Sequence, residues 1–220
     1  MKGFARKYIQ NLIDQGEHSQ LDFKFEINEA RKIARTLVAF ANTDGGRLLI
    51  GVKDNGKISG IRSEEEFYMI QSAAQNFCKP EIAFETKSWN IDGKTVLEVY
   101  VPPADHKPFY AKDENGRWMA YHRVHDQNYL ANSILLDLWK YRKQKRGILI
   151  KFTRNEELLL QYLSRNKNVT ISKMIRDTGF KRALLKELLV KLIAFDVVTM
   201  NFDEGGTRFS LTEQPGEERL

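Results

Sequence analysis

Asn42-Thr43-Asp44-Gly45-Gly46 is a stretch whose residue types could hold a phosphate. Paired glycines admit positive φ and close backbone approach, and successive exposed N–H groups can bind an anion. The order of elements argues against a nucleotide loop. These glycines follow a helical pattern and precede the apolar run RLLIGVKD, whereas a phosphate loop needs strand, loop and helix N-terminus in that order. No Gly-x-x-x-x-Gly-Lys-Ser/Thr run is present. Gly45 and Gly46 are expected to stop a helix, and ATP is not expected as a cofactor.

Tyr121-His122-Arg123 and His125 form a second constellation. Arg123 on a strand could contact phosphate or pair with an acid. His122 and His125 sit at an odd offset, so a strand points them to opposite faces and they do not readily share a metal. Trp89, Trp118 and Trp139 read as core or interface anchors rather than base-stacking platforms.

Charge gives a third signal. The net formal charge is +6, yet 15 Lys and Arg against 4 Asp and Glu fall between Trp139 and Ile193, while Met1–Leu138 holds 18 against 19. A concentrated basic segment marks a polyanion partner, most often nucleic acid. Lys140, Arg142, Lys143, Lys145 and Arg146 would contact phosphates without reading sequence. Lys181, Arg182, Lys186 and Lys191 would lie on the outer face of one helix.

The elements that must position these residues follow from periodicity. LDFKFE alternates as a half-buried strand, and NEARKIARTLVAFAN is an amphipathic helix opening on a capping Asn28. SEEEFYMIQSAAQNFC carries the Ser63/Glu66 capping-box pattern. Asp92-Gly93 and Glu114-Asn115-Gly116 each join two strand-like runs, the second being KPFYAKD and RWMAYHRV. The first part is therefore expected to be α+β, with a mixed sheet of five or six strands and flanking helices. The later part reads as helices over TRNEELLLQYLSRN, NVTISKMIRDTGF and KRALLKELLVKLIAFD, then the hairpin VVTMNF–DEGG–TRFSLT. Three helices and a hairpin in that order predict a winged helix-turn-helix. The expected domains are 1–146 and 147–213, with a flexible tail over 214–220. No window approaches the ~18 apolar residues of a membrane span. With one cysteine and no leader-like segment, a cytoplasmic location is expected.

LDFKF, then AFANTDGGRLLIGVKDNGKISGI, then YHRV together resemble the Schlafen AlbA-like domain family over roughly Gly16 to Trp139. The resemblance implies a DNA-binding domain that in bacterial members is often followed by a winged helix. It also implies a candidate metal site. The acidic residues of the Schlafen nucleases match Glu17, Asp22 and Asp54, with Lys24 beside them to neutralise developing charge. Asp22 stands where the family has Glu. Carboxylates so placed could hold Mg²⁺ or Mn²⁺ and activate water. The plainer alternative pairs Asp22 with Lys24 or Arg123 and leaves Asp54 to start the Asp54-Asn55-Gly56 turn.

The function expected is nucleic-acid binding as a transcriptional regulator, DNA before RNA, as a homodimer and without a cofactor. The alternatives are a metal-dependent RNA endonuclease and a protein-interaction or dimerisation module.

Overall fold

The computed structural model describes residues 2–143, 152–203 and 205–213, and Lys145 and Arg146 lie outside them. The chain forms two compact units, Met1–Ala131 and Asn132–Leu220.

In the first unit, α1 (Lys2–Ile13) precedes β1 (Leu21–Lys24), α2 (Ala30–Asn42) and β2 (Gly46–Ile50). β1 and β2 pair in parallel, so α2 is the crossover between them. After α3 (Glu65–Asn76) and the two-residue β3 (Cys78–Lys79), β4 (Glu85–Ile91) and β5 (Lys94–Val101) form the Asp92-Gly93 hairpin. The main sheet runs β1-β2-β5-β4. Leu48, Ile50, Leu97 and Val99 line one face with Leu37 and Phe40 of α2 and Ile70 of α3. Leu21, Phe23, Leu49 and Val96 line the other with Ile9 and Ile13 of α1. Strand alternation therefore serves two cores.

The expected single sheet of five or six strands is instead three sheets. β6 (Tyr110–Lys112) pairs with β3 and with β7 (Trp118–Met119), and β8 (Tyr121–Val124) pairs with β9 (Gln127–Leu130). Pro102 and Pro103 follow β5 and have no N–H to extend its ladder. RWMAYHRV also splits at Ala120, whose carbonyl accepts the Ala131 N–H at 2.8 Å. Asn28 does not cap α2. Glu29 holds the N-cap position, while Asn28 donates to Glu26.

The second unit holds α4 (Ser133–Lys143), α5 (Arg154–Arg165), α6 (Ile171–Thr178), α7 (Arg182–Ala194) and the antiparallel pair β10 (Val198–Asp203) and β11 (Gly206–Leu211). Side-chain caps start three of these helices. Asn132 accepts from the N–H groups of Ile134 and Leu135, Thr153 forms a capping box with Glu156, and Thr170 accepts from Lys173. Gly179, at φ +72, ends α6 in the left-handed region. Val169 exchanges both backbone hydrogen bonds with Phe209, adding a short third strand to the hairpin. Leu159, Leu163, Met174, Leu185, Leu189 and Phe209 are buried within the unit. α4 packs on α7, so it belongs to this unit although the sequence division was expected after Arg146. Among the described residues no helix is long and apolar enough to cross a membrane.

Candidate functional site

The glycine corner is held from all sides. Thr43 and Gly45 both donate their N–H to the Phe40 carbonyl, so these two groups are spent on closing α2. Gly45 has φ +73, and a Cβ there would come within 2.7 Å of the Val101 carbonyl oxygen. A Cβ at Gly46 would strike the Phe40 ring. Asn42 is buried, donating to the carbonyls of Phe109 and Tyr121 and accepting from the Phe109 N–H. The Thr43 hydroxyl donates to Ala39 and accepts the Arg123 N–H. Asn42-Thr43-Asp44-Gly45-Gly46 is thus a clamp joining α2 to β5, β6 and β8.

Arg123 is the other half of that clamp. Its side chain is 1% exposed, and Nη2 lies 3.1 Å from Asp22 Oδ1. Its guanidinium also donates to the carbonyls of His18 and Leu21 and to Asn128 Oδ1, and stands 5.0 Å from the centre of the Phe40 ring. The phosphate contact expected of Arg123 is corrected by this burial, since no solvent anion reaches a guanidinium so enclosed.

Asp22 also pairs with Lys24, Oδ2 to Nζ at 3.0 Å, and Lys24 donates to the Phe23 carbonyl. Glu17 accepts the Phe23 N–H at 2.7 Å. Burial and then the neighbouring Asp22 push the Glu17 carboxyl above its usual range, against the pull of the Phe23 N–H. Glu17, Asp22 and Lys24 lie together. Asp54 does not join them: it is exposed, in the turn closed by Gly56 N–H to Lys53 and by Lys57 N–H to Asn55 Oδ1. Among the described residues no group of three His, Cys, Asp or Glu is placed to hold a metal ion. His122 is buried, which pushes its imidazole down to about 4 and keeps it neutral, while His125 sits in the β8–β9 turn at φ +54.

The basic residues of the second unit divide by position. Lys181 is the N-cap of α7 without a side-chain capping bond, and Arg182 opens the helix. Both are exposed, and neither is in an ion pair among the described residues. Lys173 and Arg176 are exposed on α6. Sequence reasoning passed these two over, although their three-residue spacing on the polar side of a short amphipathic helix was the available signal. Arg176 has only a long 3.5 Å contact to Asp177, which itself accepts the Tyr162 hydroxyl. That hydroxyl holds the Asp177 carboxyl below its usual range.

Lys186 departs from its expected groove-facing role. Its Nζ lies 2.5 Å from Asp137 Oδ2 on α4 and holds that carboxyl below its ordinary range. The physical reason is that α4 covers this side of α7. Lys191 pairs with Glu187 at 2.8 Å. Lys140 and Arg142 make exposed contacts of 3.5 and 3.8 Å, to Asp137 and Asp196, and Lys143 is exposed. Pairs that long and exposed contribute little and leave both cations open to a polyanion. At the hairpin, Arg208 neutralises Asp203 at 2.8 Å. Trp89 and Trp139 are buried anchors as expected, but Trp118 is 39% exposed.

Residues 17–132 match the family model described as Schlafen, AlbA_2. Among solved structures, the chain resembles the DIP2311 protein from Corynebacterium diphtheriae at 18% identity and a TM-score of 0.43, covering 86% of this chain and 34% of that one. This chain thus spans about a third of that relative. It also resembles the N-terminal domain of a RecG-related protein from Nitrosomonas europaea, at 24% identity and a TM-score of 0.40, covering 66% of this chain and 97% of that one.

Proposed function

We propose that this chain, which belongs to the Schlafen AlbA_2 family, binds nucleic acid and acts as a transcriptional regulator that reads duplex DNA with its second unit. The observation that carries the reading is the helix–glycine–helix of α6, Gly179 and α7, with Lys173, Arg176, Lys181 and Arg182 exposed around it. We read α5, α6 and α7 with β10, β11 and the Val169 bridge as a winged helix-turn-helix. In that geometry the first residues of the second helix reach base edges and the preceding helix crosses the backbone. The first-turn N–H groups of α7 lack a side-chain cap, and the helix dipole adds partial positive charge beside the two cations. Lys140, Arg142 and Lys143 at the end of α4 would add contacts that carry no sequence information. A homodimer matching two half-sites is the assembly we propose.

On this reading Glu17, Asp22 and Lys24 are structural. The ribonuclease alternative would need Asp54 to leave its turn and join the other two carboxylates. One experiment separates the readings: fluorescence anisotropy of labelled duplex DNA and structured RNA, with and without Mn²⁺, followed by a gel of the recovered probes. Salt-sensitive binding of intact duplex, weakened in Lys181→Ala/Arg182→Ala, is the expected result. RNA shortened only with metal, and spared by Asp54→Ala, would transfer the function to the first unit.

A further inference from the structure

The three-stranded sheet of the first unit has one face turned inward and one outward. Cross-strand partners share a face, so Cys78, Ala111 and Met119 form one row across β3, β6 and β7. Cys78 and Ala111 are buried. The opposite face carries Lys79 and its partner Tyr110, then Lys112 and its partner Trp118.

That face is aromatic and cationic. The Trp118 indole is 39% exposed, and the ammonium groups of Lys79 and Lys112 each stand 5.9 Å from its ring centre. Among the described residues neither lysine is in an ion pair with a carboxylate. The nearby acids are committed elsewhere: Asp113 to Arg117 at 2.8 Å and Glu114 to Arg35 at 3.6 Å. Glu81, two residues beyond β3, is exposed and pairs with neither. Arg31 adds a third cation next to the same strand, since it lies over the Phe77 ring and the Phe77 carbonyl accepts the Lys112 N–H.

We infer that this face binds a single strand of nucleic acid, with an unpaired base stacked on Trp118 and the flanking phosphates held by Lys79 and Lys112. Every base has a π-face, so an exposed indole takes any of them, and a stacked base is worth more than an exposed ammonium on the same ring. A lysine displaced from the indole has a phosphate within reach of its flexible stem. The surplus of positive charge selects a polyanion, and the flat aromatic selects one whose bases are unstacked. A duplex hides those π-faces. This surface lies wholly in the first unit and stands whether or not the second unit reads duplex DNA.

The test uses the full chain and labelled oligouridine and oligothymidine, with labelled duplex as control. Trp118→Ala should weaken binding of the single strands about tenfold while duplex binding is unchanged. Trp118→Phe should keep the affinity but abolish the quenching of tryptophan fluorescence that the strand causes. Lys79→Ala/Lys112→Ala should lower the salt slope by roughly 1.4, at about 0.7 per phosphate contact on a single strand. Lys181→Ala/Arg182→Ala should leave single-strand binding intact, which separates failure here from failure of the winged-helix reading. Wild-type affinity in Trp118→Ala, an equal loss for duplex, no strand binding at all, or equally good displacement by polyglutamate would each overturn the inference.

Discussion

Arg123 and Arg182 carry the same charge in opposite circumstances. Arg123 lies within the first unit with its guanidinium on Asp22, Asn128 and two carbonyls, while Arg182 opens α7 in solvent with no ion pair among the described residues. An arginine whose donors are already satisfied holds strands together. One whose donors face water is available to a phosphate. The same contrast separates Lys186, spent on Asp137, from Lys181. Being basic and near a motif is therefore a weak indicator of function until burial and partners are known.

The contrast can be broken most strongly at Asp22. Asp22→Asn leaves a buried guanidinium without its counter-charge and is expected to cost about 3–5 kcal/mol of unfolding free energy, read by urea denaturation. Arg182→Ala should fall within about 0.5 kcal/mol of wild type in the same assay. Equal costs at the two positions would erase the distinction. At the corner that Arg123 braces, Gly45→Ala must adopt positive φ against the Val101 carbonyl, and a loss of about 1–3 kcal/mol is expected, seen as a lowered Tm. In the second unit, Thr153→Ala removes the capping box of α5 and should cost about 1 kcal/mol.

The smallest effect sharpens the account of the carboxylates. Glu17 has a raised pKa in the folded chain, so the folded state holds this proton more tightly than the unfolded one. Its contribution to stability is then present at acid pH and lost as pH rises through the folded value. Glu17→Gln keeps an acceptor for the Phe23 N–H and removes that loss. The difference in Tm between variant and wild type should become more positive as pH rises through the carboxylate range. A pH-independent difference would contradict the raised pKa assigned to the half-buried Glu17 beside Asp22.

Local signals in the sequence are legible where the partners are near, with Asn28 the exception, since it donates to Glu26 instead of capping α2. The Asp92-Gly93 hairpin depends on neighbours within a few residues. Asn42 illustrates what could not be read that way. Its block carries the resemblance noted in the sequence, but its work is to bind Phe109 and Tyr121, which lie far along the chain. Arg123 is open to two readings for the same reason, a phosphate contact or the Asp22 pair, and the structure decides for the pair, with the His18 and Leu21 carbonyls from the opposite end of the unit completing its partners. The division into three sheets is not legible in the sequence because RWMAYHRV has unbroken strand character, and only the Ala120–Ala131 bond reveals where pairing changes. At the candidate interface, helix periodicity placed Lys181, Arg182 and Lys186 on one helix, but which of them α4 would cover is a packing outcome.

The central claim is that the α6–α7 region supplies the phosphate contacts to duplex DNA. It is tested most directly by measuring duplex affinity against salt for the wild-type chain and for Lys181→Ala/Arg182→Ala. The logarithm of affinity should fall linearly with the logarithm of salt, and the variant should show a slope smaller by about two with its fold intact. An unchanged slope and affinity in the variant would contradict the account.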